Sequence, residues 1–158
     1  MSSYSALAAF ADPAAGMKVS ARTGTGFTIT YDTDEADERA GPSPNETLLA
    51  ALAACASMDV ASILRKKRQV PSAYEIAVTG ERATEHPRRY TSIVVEHRVT
   101  GDIDPEAVRR SVELSATRYC PVNAALSKGV RVEHRYRLVR DAQDDEPVSA
   151  LVVVTGPS

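Results

Sequence analysis

The spacing of apolar and polar positions changes several times along the chain, and each change predicts an element. Residues 17–31 hold two short alternating runs separated by Gly24-Thr25-Gly26, which predicts two strands and a turn. Residues 32–41 are acidic and aperiodic, as in a loop. Ser43-Pro44-Asn45-Glu46 then starts a helix: Ser43 suits the N-cap, Pro44 the first helical position, and Glu46 the far corner of a capping box. The helix is expected from about Pro44 to about Lys67. Its first half is apolar or alanine on nearly every side, so it is expected to be buried all round. Its basic end, Arg65-Lys66-Lys67-Arg68, reads as a solvated C-terminus that complements the helix dipole, with a nuclear-localisation patch as the competing reading.

After Pro71 the period becomes two. Tyr74, Ile76 and Val78, then Ile93, Val95, His97 and Val99, predict two antiparallel strands joined by a polar loop over 84–89. Asp104-Pro105-Glu106 starts a second helix with the stripe Val108, Val112 and Ala116, and Leu114 at its margin. Pro121 interrupts it, because the residue before a proline disfavours helical geometry. A short helix from Pro121 to about Gly129 follows. Val130, Val132, His134, Tyr136 and Leu138 alternate as another strand. Residues 140–147 are an acidic loop, and Val148 to Thr155 is either a last strand or a tail. The chain is therefore mixed α and β.

Composition narrows the classes. The 158 residues, 43% apolar and 25% charged, suit one soluble globular domain, and a net charge of −2 leaves no footprint for nucleic acid or an anionic membrane. No apolar run is expected to reach the roughly 18 residues that cross a bilayer. The start, Met1-Ser2-Ser3-Tyr4, has no basic n-region, so no secretory signal and a cytoplasmic location are expected. In a reducing compartment persistent disulfides are rare, and a cysteine pair leans towards redox chemistry.

Cys55 and Cys120 are the two cysteines. Their separation excludes a Cys-x-x-Cys motif, and two thiols are too few for a structural zinc. Two inert buried thiols, a structural disulfide and a reactive pair all remain open. A helix N-terminus favours a thiolate at Cys120, whereas burial disfavours one at Cys55 unless another part of the fold supplies an arginine. His86 falls in a loop. His97 and His134 read as satisfied structural residues, and the scattered histidines do not suggest a metal site.

Five stretches carry a resemblance. They are Gly41-Pro42-Ser43-Pro44 with Leu48 to Cys55, Asp59 to Lys66, and Asp104 to Val108 with Tyr119-Cys120-Pro121-Val122. Together they resemble the OsmC/Ohr family, that of osmotically inducible protein C and organic hydroperoxide resistance protein. The resemblance is good over 41–139 and weak over 17–40, and it leaves 1–16 and 140–158 unaccounted for. It implies an α+β fold in an intertwined homodimer, with antiparallel sheets around two long central helices. It also implies a thiol peroxidase for organic hydroperoxides or hydrogen peroxide. Cys55 would form a sulfenic acid, Cys120 would resolve it to a disulfide, and a dithiol such as dihydrolipoamide would restore the pair. No flavin, haem or metal is needed.

Family peroxidases pair the reactive thiol with an arginine and a glutamate. The family glutamate falls on Asn45, with Glu46 next to it, so Glu46 is a candidate for catalysis as well as for the cap. Arg22 and Arg39 are the candidate arginines. Asp59, one helical turn past Cys55, reads as a buried hydrogen-bond acceptor, with a site residue as the alternative. Two alternatives accompany the peroxidase: a general dithiol–disulfide reductant, and a non-catalytic dimeric stress or ligand-binding protein of the same fold.

Overall fold

The computed structural model describes residues 3–33, 38–140 and 146–158. Parts of the two expected acidic loops, 34–37 and 141–145, lie outside the described residues. The chain forms two compact units, Met1–Leu48 and Leu49–Ser158.

The first unit is a three-stranded antiparallel sheet: β1 (Ala6–Phe10), β2 (Val19–Thr23) and β3 (Thr28–Tyr31). The expected pair β2/β3 forms, and its turn is closed by Thr23 N–H donating to the Phe27 carbonyl at 2.8 Å, with Gly26 at φ 98°. Strand β1 lies in a stretch the sequence left unread. Gly41 passes so close to β3 that a Cβ there would sit 2.0 Å from the Thr30 carbonyl oxygen.

Helix α1 (Pro44–Lys66) starts in this unit and runs on into the second. The capping box is present: Ser43 N–H donates to Glu46 Oε2 at 2.8 Å, and Glu46 N–H to Ser43 Oγ at 3.3 Å. The basic end is exposed, as expected, and closes with Arg68 at φ 58°. Burial all round is not found within one chain. Leu52, Ala56, Val60 and Leu64 form one fully buried stripe, while Ala51, Ala54 and Met58 on the other side are exposed, Met58 by 71%. Only one side of the helix meets the sheet. By length and composition α1 could also cross a membrane. Its stripe is instead part of this chain's own core.

The second unit holds β4 (Ala73–Arg82), β5 (Tyr90–Thr100), β6 (Arg131–Val139) and β7 (Val148–Thr155), side by side in that order. Pairs β4/β5 and β6/β7 are antiparallel, but β5 and β6 are parallel, so the sheet is mixed. A parallel pair needs a long crossover. Here it consists of α2 (Pro105–Leu114), a π turn (Ser115–Tyr119) and α3 (Pro121–Leu126). Asp104 caps α2, accepting from Glu106 N–H at 3.0 Å. Ile93, Val95, His97 and Val99 of β5 share the buried face with Val132, His134, Tyr136 and Leu138 of β6. Val60 and Leu64 of α1 and Val108 and Val112 of α2 pack there with Val99, Tyr136 and Leu138. The alternate residues, among them Arg98, Arg135 and Arg137, stay outside the core, which is the period-two logic of a half-buried sheet.

Candidate active site: two thiols and a carboxylate

Cys55 and Asp59 are four residues apart on α1 and so share a helix face. Cys120 reaches that face through an irregularity. Helix α2 widens into the π turn, whose last carbonyl bond is Cys120 N–H to Ser115 O at 2.9 Å. Cys120 itself is extended (φ −73°, ψ 103°), as a residue before proline should be, and Pro121 opens α3. The result brings the Sγ atoms of Cys55 and Cys120 and a carboxylate oxygen of Asp59 within 4.8 Å of one another. Both thiols are free. Cys120 is buried; Cys55 and Asp59 are half-buried. Asp59 also lines a cleft of about 430 Å³ beside Ser62, Ile63, Lys66 and Tyr119.

Polar neighbours hold this cluster. The Ser115 hydroxyl donates to Asp59 Oδ2 at 3.1 Å, the acceptor role expected for Asp59. Asn123 N–H donates to Cys120 Sγ at 3.3 Å. The Asn123 side chain is itself fixed: its Nδ2 donates to Ala116 O at 2.8 Å and its Oδ1 lies 3.1 Å from His134 Nε2. Across the sheet, Tyr74 Oη lies 2.7 Å from His97 Nδ1, and the His97 and His134 rings stack at 6.3 Å. These histidines are only half satisfied, because His97 Nε2 and His134 Nδ1 have no partner among the described residues. Burial pushes His97 down to about 3, aided by His134, and His134 down to about 4, so both are neutral at pH 7.

The thiolate expected at Cys120 does not hold. Burial first, then the thiol–thiol hydrogen bond with Cys55, pushes Cys120 up to about 12. The Asn123 N–H bond pulls the other way and loses; the charges of Cys55 and Asp59 add to the rise. A short helix's dipole is weaker than desolvation beside two potential anions.

The remaining candidates lie in the first unit. Arg39 Nη1 pairs with Glu46 Oε2 at 3.2 Å, so one residue pair serves both an ion pair and the capping box. Arg22 is exposed on β2, opposite Leu7 and Thr28. Asn123, Ser115 and His134 were not picked out as site residues from the sequence. The only local hint was an asparagine close behind Cys120-Pro121.

The chain thus combines an α+β fold, a mixed four-stranded sheet, a long core helix and two adjoining thiols. Residues 34–135 match the family described as OsmC-like protein, and the chain belongs to that family. It is similar to protein YhfA of Escherichia coli (strain K12), with 39% identity over 125 residues, covering 78% of this chain and 92% of that protein. Its fold is shared by an OsmC-like protein from Mycoplasma pneumoniae (TM-score 0.75, 20% identity, 87% of this chain and 98% of that one). It is also shared by an organic hydroperoxide resistance protein from Legionella pneumophila (TM-score 0.65, 12% identity, 88% and 98%).

Proposed function

We propose that the chain is a thiol peroxidase for organic hydroperoxides or hydrogen peroxide, acting from a reducing cytoplasm. The observation that carries this is the contact between two reduced thiols, one half-exposed and one buried and held protonated. The buried, protonated Cys120 is unsuited to first attack, so the nucleophile is Cys55. Its thiolate attacks the O–O bond of ROOH, and the alkoxide leaves as ROH after taking a proton. Cys55 is then a sulfenic acid, two electrons oxidised. Cys120 attacks that sulfur, the hydroxyl leaves as water with the Cys120 proton, and a disulfide forms. A small dithiol such as dihydrolipoamide returns the pair to thiols and is itself oxidised.

Arg39 with Glu46 is the Arg–Glu couple we assign to activation of Cys55, ahead of Arg22, because Arg39 already carries its glutamate partner. The two units act as one domain within a homodimer. The exposed outer stripe of α1 (Ala51, Ala54, Met58) and the exposed Leu7 and Phe27 supply apolar surface for a second copy to cover. Light scattering should give about twice the 17.0 kDa chain mass; a monomer at micromolar concentration contradicts the dimer.

The test of the activity is direct. Reduced protein is mixed with cumene hydroperoxide and free thiols are counted against time. Rapid loss of both thiols supports the peroxidase. Unchanged thiols favour the non-catalytic binding protein.

A further inference from the structure

We propose that Cys55, Cys120 and Asp59 bind one thiophilic divalent cation of the zinc class when the thiols are reduced. This does not rest on the peroxidase reading, since it requires only reduced thiols.

The donor set is the first support. Two thiols alone are too few for zinc, but Asp59, one turn along α1 from Cys55, adds a third donor. All three donor atoms lie within 4.8 Å of one another. Around a tetrahedral zinc, with bonds of about 2.3 Å to sulfur and 2.0–2.2 Å to oxygen, neighbouring donors stand roughly 3.5–3.8 Å apart. Closing onto an ion therefore takes shifts of about an ångström. Two sulfurs and one oxygen select zinc or cadmium over magnesium or calcium. Three protein donors leave a fourth position for water, as in reactive rather than purely structural zinc sites.

The supporting bonds are the second. Metal-binding carboxylates and thiolates are commonly oriented by hydrogen bonds from behind. Ser115 donates to Asp59 Oδ2, and Asn123 N–H donates to Cys120 Sγ. Asn123 is anchored in turn by Ala116 and His134. Access runs through the half-buried Cys55 and the cleft that Asp59 lines.

Metal binding and disulfide formation exclude each other. A Cys55–Cys120 disulfide removes two of the three donors, so oxidation releases the ion.

The experiment titrates reduced, metal-free protein with Zn²⁺ against a colorimetric chelator, and with Cd²⁺ in the ultraviolet. One ion per chain and a cadmium–thiolate charge-transfer band are expected. The band should be lost in both Cys55→Ser and Cys120→Ser. Asp59→Asn, nearly isosteric, should weaken zinc at least about 10-fold, and Ser115→Ala should weaken it less. Circular dichroism of each variant separates lost donors from lost fold. Diamide-oxidised protein should release the ion. The site is overturned if wild type binds no tighter than folded Cys120→Ser, if Asp59→Asn keeps full affinity, or if oxidised protein still binds. Peroxide consumption is measured on the same metal-free sample, so failure of either reading leaves the other standing.

Discussion

The two cysteine segments are built on opposite plans. Cys55 sits inside a regular 23-residue helix whose buried stripe repeats every fourth residue, with the thiol half-exposed at its edge. Cys120 sits at a break, between a π turn and a six-residue helix, and is buried: its N–H donates to Ser115 O, and its sulfur accepts from Asn123 N–H, whose side chain meets His134. Regularity makes the first position rigid while leaving its sulfur reachable. Irregularity makes the second depend on neighbours, and burial keeps its proton on. The first plan suits a thiol that meets substrate, and the second suits one that waits for a partner.

The strongest way to break this contrast is to remove each sulfur. Cys55→Ser should reduce peroxide consumption to the buffer background, because a serine hydroxyl without an adjacent base is a poor nucleophile. Cys120→Ser should keep the first oxidation but lose turnover with a dithiol, ending as overoxidised Cys55. Stopped-flow peroxide loss and steady-state turnover separate the two.

Acid should loosen the Cys120 side. His97 and His134 hold their protons only below about 3 and 4 in the fold, against about 6.5 when unfolded. Between pH 6.5 and those values the unfolded chain takes up protons that the folded one cannot. Stability should therefore fall as pH falls below about 6.5. Urea midpoints across pH 7 to 4.5 check this; a flat profile contradicts neutral buried histidines.

Smaller effects sharpen the contrast. Asn123→Ala leaves His134 Nε2 unpaired and frees the Cys120 turn, for a loss of about 1–3 kcal/mol. It should slow disulfide formation while the first oxidation keeps its rate. Ser43→Ala removes one half of the capping box, for about 1 kcal/mol on a urea melt.

The same contrast separates what could be read in advance from what could not. The start of α1, its extent, the stripe of α2 and the alternation of β5 and β6 follow from local period and caps, and these signals lie within a few residues. The break before Pro121 was readable for the same reason. The Asp59–Cys120 meeting and the Asn123–His134 bond join residues far apart in sequence, so no local pattern announces them. The electrostatics of Cys120 went the other way from the dipole argument because desolvation depends on what packs above the turn. The parallel β5/β6 pairing was hidden too, since alternation alone does not encode strand direction. Strand β1 was missed because Ala6-Leu7-Ala8-Ala9-Phe10 has no polar alternation to mark it.

The central claim is that Cys55, not Cys120, meets the peroxide. Dimedone trapping of the sulfenic acid, with mass spectrometry of Cys55→Ser and Cys120→Ser after one equivalent of cumene hydroperoxide, tests it most directly. The account predicts label on Cys55 in the Cys120→Ser protein and none in the Cys55→Ser protein. Label on Cys120 in Cys55→Ser, formed at the wild-type rate, would reverse the assignment.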